Sequence, residues 1–80
     1  MPTTENKARE ILVELAGIEP ERITRGAHLF DDLGGDSLDR VEWVMEAEER
    51  FDIAIPDETA DRLCTFGEYV DAIDAELANA

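Results

Sequence analysis

The sequence predicts an all-α fold, a small four-helix bundle with three longer helices, one short third helix and a long loop between the first two. Three observations predict it. Apolar residues recur at i, i+3, i+4 and i+7 in separate stretches, the pattern of helices with one buried face. No stretch alternates in strand fashion for longer than Ile53 to Ile55. The chain has 80 residues, 44% of them hydrophobic, enough for one small core, so residues 1–80 are read as a single domain.

The first helix is capped by Thr3 or Thr4 and carries Ala8, Ile11, Leu12 and Leu15 on one face. Gly17 follows the last of these, where helices commonly end in a left-handed residue, and Pro20 prevents continuation. From Gly17 to Asp36 there is no sustained period, yet Ile18, Ile23, Leu29, Phe30 and Leu33 supply apolar anchors, so the loop is expected to lie on the core. Asp36 is an N-cap for a second helix that runs to about Arg50 and is followed by Phe51. Asp39, at N3, adds negative charge at the positive end of that helix dipole. Ile53 to Pro56 reads as extended. Asp57 is expected to cap the short third helix, running through Leu63. Thr65-Phe66-Gly67-Glu68 matches a capping box and opens a fourth helix with Phe66, Tyr69, Val70, Ile73 and Leu77 on one side.

Composition excludes several classes. Seven basic residues stand against twenty-one acidic ones, a net charge of −14. Binding nucleic acid or an anionic membrane needs clustered Lys and Arg, so neither is expected as a partner, whereas basic protein surfaces are. The longest apolar runs, Ile11-Leu12-Val13 and Trp43-Val44-Met45, are far too short to span a membrane. Met1 to Glu10 lacks the apolar centre of a secretory leader. The single cysteine, Cys64, allows no internal disulfide and no cysteine-based zinc site, and it is expected to be buried or half-buried. A cytoplasmic monomer is the simplest reading.

The second helix has two apolar stripes. At ~100° per residue, Leu38, Val41 and Met45 cluster between ~300° and ~360°, while Trp43, Val44, Ala47 and Phe51 fall between ~140° and ~240°. Asp39, Glu42, Glu46, Glu48 and Glu49 flank the first stripe and none lies on the second. Arg40 alone intrudes on the second, where its long side chain is expected to snorkel outward. Five flanking carboxylates do not suit a core-facing surface, so the second stripe is read as core, with small Ala47 balancing bulky Trp43. Leu38, Val41 and Met45 are then an exposed docking surface within an acidic border. The alternative is a helix sandwiched between neighbours with both stripes in the core.

Ser37 follows Gly34-Gly35 in the first turn of this helix. Asp36 does the capping, so the Ser37 hydroxyl is expected to face solvent. A nucleophilic serine needs a base and an orienting partner. His28 is the only histidine, in a loop near or far from Ser37, and the segment is not a G-x-S-x-G elbow; a hydrolase is disfavoured. Asp31, Asp32 and Asp36 lack the order of a calcium loop, so no dedicated metal site is expected.

The run Asp32-Leu33-Gly34-Gly35-Asp36-Ser37-Leu38-Asp39, followed by Val41-Glu42 and Val44-Met45, resembles the signature of acyl carrier proteins. Glu48 to Glu58 is similar to the segment joining the family's second and third helices, and Thr65 to Val70 to the start of its last helix. The resemblance extends from Ile11 to Ile73. It implies that Ser37 bears 4′-phosphopantetheine, attached by a separate phosphopantetheinyl transferase using coenzyme A, with Asp36 assisting magnesium at that enzyme. It implies a carrier that catalyses nothing itself, holds acyl groups as thioesters and shelters a growing chain in its apolar interior. Partner recognition would fall to the second helix, through Leu38, Asp39, Val41, Glu42, Met45 and Glu49, meeting acyl-chain synthesising and transferring enzymes with basic docking surfaces. A helix N-terminus also suits a covalently attached phosphate.

Trp43 and Ala47 stand where the commonest bacterial pattern has leucine, and Arg40 where it has a small polar residue beside the docking stripe. Gly34-Gly35-Asp36-Ser37 leans towards carriers of polyketide or nonribosomal peptide pathways, and Asp36 to Glu42 towards fatty-acid carriers. A specialised carrier therefore stands beside the housekeeping one. A helical interaction protein that keeps the fold without carrying a cofactor is the reading from another class.

Overall fold

A computed structural model describes residues 3–79; Met1, Pro2 and Ala80, the ends of the expected 1–80 domain, lie outside the described residues. The helices are α1 (Thr4–Ala16), α2 (Ser37–Phe51), α3 (Asp57–Ala60) and α4 (Phe66–Ala78), with a single 3-10 turn at Pro20–Arg22. The described residues contain no strand, and the all-α bundle stands as expected.

Local chemistry explains the ends. Thr3 caps α1 by accepting from the Asn6 N–H, and Gly17 closes it with φ 67°, its own N–H donating to the Val13 carbonyl at 3.0 Å. α2 ends at Phe51, where Asp52 adopts the left-handed conformation (φ 55°). Thr65 and Glu68 form the reciprocal capping box of α4. The third helix departs from expectation: Pro56 occupies its N-cap, Asp57 lies inside the first turn, and the helix stops at Ala60. Proline's fixed φ suits a helix entry, which moves the start one residue earlier. Turn hydrogen bonds from Arg62 and Leu63 to Thr59 and Ala60 continue the segment.

α1, α2 and α4 enclose a core in which Ile11, Leu12, Trp43, Ala47, Phe66, Tyr69, Val70 and Ile73 are buried. Two expected core members are not there. Leu15 is 47% exposed and Leu77 37% exposed. Leu15 shares its helical face with Ala8, Ile11 and Leu12, but beside it α2 presents Glu42, Glu46 and Glu49 with the exposed Met45, and not its buried stripe. Leu77 lies in the last turn of α4, beyond that helix's buried residues, which end at Ile73.

The loop between α1 and α2 is pinned to the core by Ile18, Ile23, Leu29 and Leu33, all buried, with Phe30 half-buried. Main-chain hydrogen bonds fasten it to the start of α4: Leu29 N–H to the Cys64 carbonyl at 2.8 Å, Phe66 N–H to Ala27 at 2.9 Å and Gly67 N–H to Arg25 at 2.8 Å. A Cβ on Gly67 would lie 2.9 Å from the Arg25 carbonyl oxygen, so this approach requires glycine. Arg25 also spans Asp71 of α4 (2.8 Å) and Glu5 of α1 (3.4 Å).

Candidate functional site

Ser37 is the first residue of α2 and is exposed. Its position is fixed from both sides. The Asp36 carboxylate accepts from the Asp39 N–H at 2.9 Å, and the Asp39 carboxylate accepts from the Asp36 N–H at 3.2 Å. The expected Asp36 cap is thus half of a reciprocal box, and Asp39 adds a hydrogen bond to its dipole role. The Ser37 side chain makes no hydrogen bond among the described residues, and the first-turn N–H groups of Ser37 and Leu38 have no carbonyl one turn back to bond.

Before Ser37, the loop folds tightly. The Gly34 and Gly35 N–H groups donate to the Phe30 and Leu29 carbonyls, each at 3.0 Å. Gly35 lies against the indole of Trp43, so that a Cβ there would sit 2.5 Å from the ring atom Cη2. The core residue Trp43 (2% exposed) therefore sets the floor beneath the segment that leads into Ser37. The indole occupies the space against Gly35, two residues before Ser37.

His28 belongs to the loop's own hydrogen bonding. Its Nδ1 accepts from the Phe30 and Asp31 N–H groups, both at 3.2 Å, and its N–H donates to the Asp32 carboxylate at 2.7 Å. No hydrogen bond joins it to Ser37 among the described residues. Among those residues, too, no group of three or more His, Cys, Asp or Glu side chains is placed to hold a metal ion. Cys64 is exposed, contrary to expectation, with its main chain tied to Leu29 and Glu68 while the thiol reaches only the Arg62 carbonyl at 3.5 Å.

The two stripes of α2 separate as periodicity predicts. Trp43, Val44 and Ala47 are buried, whereas Leu38 (65%), Val41 (51%) and Met45 (61%) are exposed. The sandwiched alternative is thereby excluded. The five flanking acids are not equivalent. Asp39 is engaged in the cap, Glu46 pairs with Arg50 at 2.6 Å, and the Glu48 carboxylate accepts from the Ile55 N–H at 2.8 Å. Glu42 and Glu49 have no ion pair among the described residues.

Arg40 corrects the reading that placed its charge outward beside the stripe. Its guanidinium lies over the Phe30 ring, 5.3 Å from the centroid, and donates to the Leu63 carbonyl at 3.3 Å. An aromatic face and an acceptor next to the core outweigh exposure for this weakly hydrated cation. Arg50 has a role that sequence reasoning missed. It spans Glu14 of α1 (2.7 Å) and Glu46 of α2, and these two carboxylates, Glu14 foremost, raise its pKa above the ordinary value. The Glu46–Arg50 half is legible as an i, i+4 pair; nothing local marks the half to Glu14.

The fold and site together define a small helical bundle that carries an exposed serine hydroxyl at the N-terminus of α2. A family model described as a phosphopantetheine attachment site matches residues 6–73, and the chain belongs to that phosphopantetheine-binding family. The family carries a covalently attached 4′-phosphopantetheine, and its domains are carriers rather than catalysts. A carrier domain implies encounters with a phosphopantetheinyl transferase and with biosynthetic enzymes. No helix among the described residues is long and apolar enough to cross a membrane.

Proposed function

We propose that this chain is an acyl carrier protein modified at Ser37, delivering acyl thioesters to fatty-acid or polyketide-type enzymes. The observation that carries the reading is Ser37 itself: an exposed hydroxyl with no hydrogen-bond partner among the described residues, at the first position of α2 and inside the matched segment. The residues present suit the group. The unbonded first-turn N–H groups and the positive end of the helix dipole favour a phosphate on this side chain. When attached, the arm supplies a terminal thiol that holds an acyl group as a thioester.

The chain's own residues do the rest. Ser37 supplies the oxygen through which the arm is joined. Asp36 fixes the helix start through its cap, and its carboxylate, next to Ser37 in the chain, would assist a magnesium ion held by the transferase. Leu38, Val41 and Met45 offer a few apolar contacts, and Asp39, Glu42 and Glu49 supply the charge that draws basic enzyme surfaces. Such charge raises association rates without prolonging residence, which suits a carrier that visits several enzymes in turn. We place the protein in the cytoplasm as a monomer, with residues 1–80 folding as one carrier domain that itself catalyses nothing.

Incubation with coenzyme A and a broad-specificity phosphopantetheinyl transferase, followed by intact-mass measurement, tests the site. The wild-type chain is expected to gain one phosphopantetheine and Ser37→Ala none. Mass added to the Ser37→Ala chain would displace the site. An unmodified wild-type chain beside a competent transferase would favour the non-carrying interaction protein. A second pathway reading, a nonribosomal peptide or other specialised route, is favoured by Trp43, whose ring fills space beneath the site that a sheltered acyl chain would otherwise use. The mass of the protein from its native cell distinguishes these cargoes.

A further inference from the structure

Leu15 was expected in the core and is instead 47% exposed on α1, where it shares a surface groove of about 310 Å³ with Glu42, Met45, Glu46 and Glu49 of α2. The groove continues the Leu38–Val41–Met45 stripe off its own helix and onto the next. Arg50 holds the two banks together, donating to Glu14 of α1 at 2.7 Å and to Glu46 of α2 at 2.6 Å. Because Glu14 immediately precedes Leu15, the clamp ties the turn of α1 that carries Leu15 to the α2 bank that carries Met45. A guanidinium suits this task, since its planar fork satisfies two carboxylates in set directions.

We propose that the surface receiving the phosphopantetheinyl transferase is a composite of α1 and α2, with an apolar side chain on a basic face of that enzyme seated between Leu15 and Met45. This rests on the docking role proposed for α2. Charge selects the occupant. Three carboxylates, Glu42, Glu46 and Glu49, line the groove, and of these only Glu46 is paired, with Arg50, so an acidic or neutral partner is disfavoured and a cationic one drawn in. Size agrees. A standard interface covers about 800 Å² per partner, a disc roughly 30 Å across, and the whole protein measures 30 × 30 × 20 Å. An enzyme centred on the α2 stripe therefore reaches α1.

The test measures apo-chain binding to a broad-specificity transferase by calorimetry and, in parallel, the KM for the chain in loading with coenzyme A. Leu15→Ala is expected to raise Kd and KM about five-fold with kcat unchanged, as for loss of an interface contact. Leu15→Lys is expected to raise them further, since it sets like charges together. Both variants should keep the wild-type Tm and helicity, and Leu77→Ala, an exposed apolar change outside the groove, should alter nothing. If Met45→Ala weakens binding and both Leu15 variants do not, the α1 extension is overturned and the α2 docking face stands. If neither Met45 nor Leu15 matters, both fail. A fall in Tm for Leu15→Ala and Leu15→Lys would make Leu15 a packing residue and overturn the inference, and so would a wild-type chain that is neither bound nor loaded.

Discussion

The Tyr69 hydroxyl donates a 2.7 Å hydrogen bond to the main-chain carbonyl of Trp43, joining α4 to the middle of α2 inside the core. That bond satisfies the hydroxyl of a fully buried tyrosine, and burial pushes the phenol's pKa well above its ordinary value. The acceptor lies within the α2 ladder, so it retains a helical partner when the hydroxyl is removed. Tyr69→Phe should therefore cost only about 1 kcal/mol, lowering Tm by about 4–8 °C for a domain of this size. Trp43 emission should stay blue-shifted in that variant and red-shift only on unfolding. An exposed-type emission from the folded wild type would contradict the burial of Trp43.

Gly35 and Trp43 form a second coupled pair. A methyl at Gly35 meets the indole at 2.5 Å and the Leu29 carbonyl oxygen at 3.0 Å, so Gly35→Ala overpacks the segment before Ser37, at about 1–3 kcal/mol. Trp43→Leu removes the ring and leaves a cavity, which is destabilising by itself. The double variant should be more stable than the sum of the two single losses, because the added methyl enters space the ring has left. Thermal melts of the four proteins measure this coupling, and strict additivity would show that Gly35 does not rest on the ring.

The α4 cap makes a pH-dependent contribution. The Glu68 carboxylate accepts from the Thr65 and Cys64 N–H groups at 2.9 and 3.0 Å, and these bonds, Thr65's first, hold its pKa below the usual glutamate value. A lowered folded-state pKa contributes stability above the unfolded pKa, which is lost as pH falls through the folded value. Glu68→Ala should cost about 1 kcal/mol at pH 7. The Tm gap between wild type and variant should narrow below about pH 4 and close in stronger acid. A gap that stays constant with pH would assign the cost to packing.

Net charge sets the salt response. At −14 the chain repels itself, and screening shortens the reach of that repulsion to about 10 Å at 0.1 M salt. Tm should rise from low salt to about 0.5 M sodium chloride, a range over which the screening length falls steadily, and should rise with millimolar magnesium. Glu42→Lys removes negative charge from an exposed position without touching the core, so it should keep wild-type helicity and blunt the salt response while weakening transfer to partner enzymes. A Tm independent of salt would show the repulsion to be unimportant.

Much of this was legible because it is local. Thr3, Gly17, Asp36 and Thr65 act within a few residues of themselves, so caps and helix starts follow from short strings. The two faces of α2 follow from its own period, and the exposure of Ser37 from the presence of a better cap at Asp36. The misses depend on neighbours that periodicity does not encode. Leu15 and Leu77 carry core spacing, but Leu15 meets the acidic side of α2 with its exposed Met45, and Leu77 lies beyond the last buried residue of its helix. Arg40 turns inward because Phe30 and the Leu63 carbonyl, distant in sequence, form a cradle. The contacts from Arg50 to Glu14 and from Gly35 to Trp43 arise only once the helices pack. Asp57 yielded to Pro56 because two adjacent residues each suit a helix start and tertiary geometry chose between them.

Arg9, Arg22, Arg25, Arg40 and Arg50 all reach carboxylates or carbonyls of their own chain. Five of the seven basic side chains are thus tied into the protein's own frame. Little positive charge is left to meet a partner, so what an approaching basic surface encounters is carboxylate, Glu42 and Glu49 beside the α2 stripe among them. That attraction is felt across water, over about 10 Å at 0.1 M salt.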